Sequence, residues 1–208
     1  MINPGSGTSE AIRFIGTIAV PSISGLLGVV IGALLTSRQQ RKQRKLQFIE
    51  NQLRNFYSPL LGIRDEIRFQ SELRVHVSTE ANAAWRELCE KDRKRRPEAE
   101  SLPTQELQNK FDEIIKYDNE KFRNDMLPAY HRMIEIFKEN YFLAEETTRP
   151  HFQALINFVD IWDRWQAKSL PVQVSERLGH KEDTLTPLYD DLQIKLNELR
   201  KKLASGKA

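Results

Sequence analysis

One cysteine, Cys89, occurs in the 208 residues of this chain. No intrachain disulfide can form, and no thiolate zinc cluster can be assembled within it. Glycine is equally sparse where chemistry would need it: between residue 37 and the C-terminal tail only Gly62 and Gly179 occur. Phosphate-cradling loops and dinucleotide fingerprints take several glycines at fixed spacing, and a serine-hydrolase elbow takes one on each side of its serine. Those classes are excluded. The histidines, His76, His131, His151 and His180, are scattered and include no His-Glu-x-x-His pair. Five residues before each stand Ser71, Met126, Glu146 and Ser175. None is the arginine that marks one helical ribonuclease family. Asn-x-Ser/Thr glycosylation acceptors are also absent, and with the lone cysteine this points to a reducing compartment.

Charge is missing from Phe14 to Ser37, FIGTIAVPSISGLLGVVIGALLTS. As a helix, Phe14 to Thr36 spans roughly 34 Å, enough to cross the roughly 30 Å hydrocarbon layer of a bilayer. Pro21 and the glycines are costly in a soluble helix and tolerated in a lipid-embedded one. A cleaved signal peptide would be shorter and preceded by positive charge. Here the positive charge follows: Arg38, Arg41, Lys42, Arg44 and Lys45. By the positive-inside rule this cluster stays in the cytoplasm, giving an N-out, C-in single-pass topology. The organisation read from the sequence is a short extracytoplasmic tail (1–13), a transmembrane helix (14–37), a basic juxtamembrane segment (38–45) and a cytoplasmic helical domain (46–208). In a bacterium the membrane is the inner one.

Ser24, Gly28, Gly32 and Thr36 recur every fourth residue, so they share one helix face. Gly28-Val-Val-Ile-Gly32 is the small-residue device that lets two membrane helices approach closely, which predicts a homodimer. The basic segment suffices as a stop-transfer signal, and it can also hold anionic headgroups of membrane lipid.

The chain's formal charge of +3 is local. The juxtamembrane five contribute +5, and Glu10 and Arg13 cancel, leaving −2 on residues 46–208. Nucleic-acid binding is therefore not expected. A second basic cluster, Lys91, Arg93, Lys94, Arg95 and Arg96, lacks interleaved aromatics for base stacking. It reads as a solvated loop, or as a patch for an acidic partner.

Beyond residue 45 the periodicity is helical throughout. Leu46, Ile49, Leu53, Phe56, Leu60, Ile63 and Ile67 alternate spacings of three and four, the seam of packed or coiled helices. Ser58-Pro59 predicts a kink or a restart, with Ser58 as N-cap. Residues Leu73, Val77, Ala81, Ala84, Trp85 and Leu88 form the apolar side of the next stretch, and KDRKRRPEAESLP after it reads as a loop. A third helix starts near Thr104, with Pro128 set to kink it. HFQALINFVDIWDRW, after Thr148-Arg149-Pro150, is the richest apolar stretch and is expected at the core's centre. SLPVQVSERLGHKED reads as a long loop, and Thr186-Pro187 opens a last helix striped by Leu188, Leu192, Leu196, Leu199 and Leu203. The fold class is all-α: one N-terminal transmembrane helix followed by an up-and-down bundle of four or five cytoplasmic helices. The stretch ENQLRNFYSPLLG, residues 50–62, is distinctive without carrying a mechanism.

The acid pairs Asp112-Glu113, Glu145-Glu146 and Asp190-Asp191 read as solubilising. His151, Asp160 and Asp163 share a helix and are the residues of a conceivable metal- or acid-dependent site; Asp160 is expected to pair with Arg164 instead. No cofactor is expected. The function that accounts for anchor, stripes and missing catalytic motifs is a membrane-anchored interaction, scaffold or regulatory module. It would act through protein–protein contacts at the cytoplasmic membrane face, binding a protein partner or itself. The alternatives are a membrane-perturbing effector of toxin or defence type, and an enzyme with a cryptic site.

Overall fold

The computed structural model describes residues 32–33, 35–95, 105–178 and 180–206. Two compact units emerge, Met1–Ile49 with Lys202–Ala208, and Glu50–Lys201. The helices are α1 (residues 35–52), α2 (Ser58–Arg95), α3 (Gln105–Lys121), α4 (Leu127–Glu139), α5 (His151–Gln166), α6 (Val172–Arg177) and α7 (Thr186–Ser205). Among the described residues no strand occurs, and the architecture is an all-helical bundle. Among the same residues no helix is long and apolar enough to cross a membrane. Of the predicted span 14–37, residues 14–31 and 34 lie outside the described residues, with the tail 1–13, Ser24 and Gly28. Gly32 and Thr36 are described as helical and exposed, and Thr36 Oγ1 donates to the Gly32 carbonyl at 2.8 Å.

Neither proline breaks its helix in the expected way. Each is preceded by a five-residue π-helical turn, Leu53–Tyr57 before Pro59 and Phe122–Met126 before Pro128. The Ser58 N–H bonds the Leu53 carbonyl, and the Leu127 N–H bonds the Phe122 carbonyl, each one residue further back than an α-helix would reach. A proline in an α-helix has no N–H to give, and its ring meets the carbonyl four residues back. The wider π turn relieves that meeting while the helix runs on. Ser58 is accordingly in helical conformation and is no N-cap.

The core of Glu50–Lys201 is built around these turns. Phe56 and Tyr57 are fully buried in the first; Phe122 and Met126 are buried in the second. Phe56 meets Phe137 of α4 edge-on at 4.9 Å, and Phe137 stacks on Phe152 of α5 at 4.6 Å. The predicted stripe on α7 holds for Leu188, Leu192, Leu196 and Leu199, which are buried, while its last member, Leu203, is half-buried. The expectation for α5 does not, because only Leu155, Phe158 and Val159 of its many apolar residues are buried, while α4 buries six. Two predicted loops are helical in part, over 91–95 of the first and 172–177 of the second among the described residues. The helix α2 runs through Lys91, Arg93, Lys94 and Arg95, since lysine and arginine are good helix formers and suit a helix C-terminus. The second contains α6, where the Val174 N–H bonds the Pro171 carbonyl. Just past the end of α5, Lys168 takes φ 54°, and the Ser169 N–H bonds back to the Arg164 carbonyl at 2.9 Å.

Candidate interaction groove

The helix α2 has 38 residues, roughly 57 Å at 1.5 Å each. Only its first third is packed. After Ile67 the next buried side chain is Phe122, so no described residue of α2 beyond Ile67, or of α3, belongs to the core. Trp85 meets Phe111 edge-on at 5.0 Å, and Arg74 meets Asp118 at 3.9 Å. These two pairings run in opposite directions along the chain, so α2 and α3 form an antiparallel hairpin.

Around the Arg74–Asp118 pair lies a groove of about 520 Å³, lined by Leu73 and Val77 on α2, Ile114 and Tyr117 on α3, and Met126 of the second π turn. Leu73 is 61% exposed, Tyr117 63% and Val77 37%, and Phe69 and Ile115 stand equally open nearby. Periodicity put Leu73 and Val77 on the apolar side of a helix, and folding leaves that side open to water. Arg74, Lys110, Lys121, Glu113 and Asp118 rim the groove. The carboxylate of Asp125, hydrogen-bonded to Lys121 at 2.6 Å, holds that ammonium's pKa above its ordinary value.

The segment between α4 and α5 is held by a polar clamp that sequence reasoning missed. Gln52, buried, donates through Nε2 to the Leu143 carbonyl at 2.8 Å and to Glu145 Oε1 at 3.0 Å. The Glu145 N–H donates to the Tyr57 hydroxyl at 3.0 Å, and that hydroxyl lies 3.1 Å from Thr148 Oγ1. Thr148, fully buried, donates in turn to Asp191 of α7. Beside the buried Leu143 and Ala144, these bonds pin the segment between α4 and α5 to residues 52–57 and to α7. Burial pushes the Tyr57 phenol pKa up. Gln52 and Tyr57 belong to the distinctive 50–62 stretch. Glu145 and Asp191 therefore do more than solubilise.

The other predicted site residues are not brought together. His151 and Asp160 sit nine residues apart on α5, roughly 13 Å along its axis, too far to share an ion. Asp160 pairs with Arg164 at 2.7 Å, as expected, and Asp163 Oδ1 lies within hydrogen-bond distance of His131 Nε2, at 3.0 Å. Among the described residues no group of three or more His, Cys, Asp or Glu side chains gathers as a metal site would require. Of the second basic cluster, Lys91 is 4.0 Å from Glu87, and Arg93 and Lys94 are exposed at the far end of α2. Arg96 lies outside the described residues. No family model, no curated protein and no solved structure matches this chain.

Proposed function

We propose that this protein is a membrane-anchored helical module that works through protein–protein contact, seating an amphipathic helix of a partner in the α2–α3 groove. The anchor is the uncharged stretch 14–37, with the helical domain on the cytoplasmic face. The observation that carries the reading is the uncovered stripe. An apolar face built at helical spacing, left open along a groove, is what a helix-in-groove site consists of. Arg93 and Lys94, exposed farther along α2, favour an occupant whose flank is acidic.

The test is a photo-reactive side chain at Leu73 in the full chain, crosslinked in intact membranes. The expected product joins Leu73 to a peptide with apolar residues at helical spacing and acidic flanking residues, and it disappears on Val77→Asp. Adducts to lipid alone, or a protein adduct indifferent to Val77→Asp, would overturn the reading. The tether is checked separately: the full chain made in cells should remain with the membrane pellet after a high-salt wash.

A further inference from the structure

In the unit Met1–Ile49 with Lys202–Ala208, described residues 35–49 and 202–206 contain Arg38, Arg41, Lys42, Arg44, Lys45 and Lys202, and no carboxylate. The unit Glu50–Lys201 behaves differently. There Arg54 is answered by Glu50, Lys121 by Asp125 and Lys195 by Glu198, each within one helical turn. Among the described residues, none of the five juxtamembrane cations has a carboxylate within ion-pair distance.

These cations are also sorted in space. At 3.6 residues per turn, Arg38, Arg41, Lys42 and Lys45 fall within one arc of about 100° on α1, with Arg44 flanking it. The end of α7 approaches one of them, Lys42. Gly206 adopts φ +58°, its N–H donating to the Leu203 carbonyl at 3.1 Å, so the helix closes in a left-handed turn. A Cβ placed on Gly206 would stand 3.9 Å from Lys42 Nζ. The ammonium therefore faces the negative pole of α7. Lys202, far from the juxtamembrane run in sequence, joins it in the same compact unit. A stop-transfer signal needs a contiguous run and neither a common face nor a cation from residue 202.

We propose that Arg38, Arg41, Lys42, Arg44, Lys45 and Lys202 form one folded binding surface for the headgroups of anionic phospholipid. This rests on the anchor reading, which brings the surface to headgroup depth. Each basic residue at an anionic surface strengthens attraction by about fivefold at low salt, and the effect fades as salt screens it.

The experiment titrates phosphatidylglycerol or phosphatidylcholine into the full chain in neutral detergent micelles and counts bound lipid by native mass spectrometry. Phosphatidylglycerol is expected to bind preferentially, with the preference lost in high salt. Lys202→Glu should weaken it by about fivefold or more, and Lys202→Gln should fall between. Equal binding of the two lipids, or indifference to both Lys202 variants, would overturn the proposal. So would displacement of the lipid by soluble glycerol phosphate at equal concentration (an isolated phosphate site), or by a short DNA duplex. Failure of the anchor reading is told apart because it shows as loss of the Lys202→Glu chain and the unaltered chain alike from neutral phosphatidylcholine vesicles in high salt.

Discussion

Tyr57→Phe removes one oxygen from the centre of the clamp and leaves everything else nearly in place. The ring is fully buried and keeps its edge-on contact with Phe56 at 4.9 Å, so little packing changes. What is lost is the acceptor for the Glu145 N–H at 3.0 Å and the partner of Thr148 Oγ1 at 3.1 Å. Thr148 retains its bond to Asp191, so the main cost is the Glu145 amide, left without its partner in a half-buried place. Removing one partner from such a bond costs about 1–3 kcal/mol, which puts the substitution near 2 kcal/mol. For a chain of this size that lowers Tm by about 4–8 °C. Thermal unfolding of the full chain in neutral detergent, followed by far-UV circular dichroism, measures it. Thr148→Val alone, and the two substitutions together, complete a cycle. The double variant should lose less than the sum, because both singles break the same bond. Strict additivity, or an unchanged midpoint for Tyr57→Phe, would refute the claim that these bonds fix the segment between α4 and α5.

Gly62 lies exposed within α2, and a Cβ there would meet nothing within 4 Å; Gly62→Ala should stabilise by about 0.5–1 kcal/mol, read as a higher Tm. Lys168 holds a left-handed backbone that suits glycine, so Lys168→Gly should stabilise by about 1 kcal/mol in the same assay, whereas Lys168→Val should do the reverse. Burial pushes the phenols of Tyr57, Tyr130 and Tyr189 up from the ordinary 10.0, with Glu182 adding its charge against the latter two. The unfolded chain therefore loses those protons first: their stabilising share is whole below about pH 10 and declines as pH rises toward the folded values. Denaturation midpoints across the alkaline range should fall, and Tyr130→Phe should make that fall shallower.

Sequence pattern reached the helical class, the seam through Leu53, Phe56, Leu60 and Ile67, and the leucine stripe of α7, because burial on one helix face writes a period directly into the chain. It could not reach the clamp. Gln52, Tyr57, Glu145, Thr148 and Asp191 come from three distant segments, and hydrogen bonds between distant polar groups leave no period. The prolines were visible and their effect was not, since a break and a π turn begin from the same residue. The groove was half legible: Leu73 and Val77 stand at core spacing, but periodicity registers that a face is apolar, not whether the fold or a partner covers it. The same blindness overrated α5, whose Trp165 is exposed despite the company it keeps.

The two widened turns also act as spacers. A five-residue π turn rotates the chain through about the same angle as four α-helical residues, so each takes up one extra residue without turning the helix that follows. Deleting one residue within 122–126 would restore ordinary helical pairing and leave Tyr130, Met133 and Phe137 facing the interior they now fill. The same deletion inside α4, where no slack is stored, would swing everything beyond it by about 100° and undo the bundle.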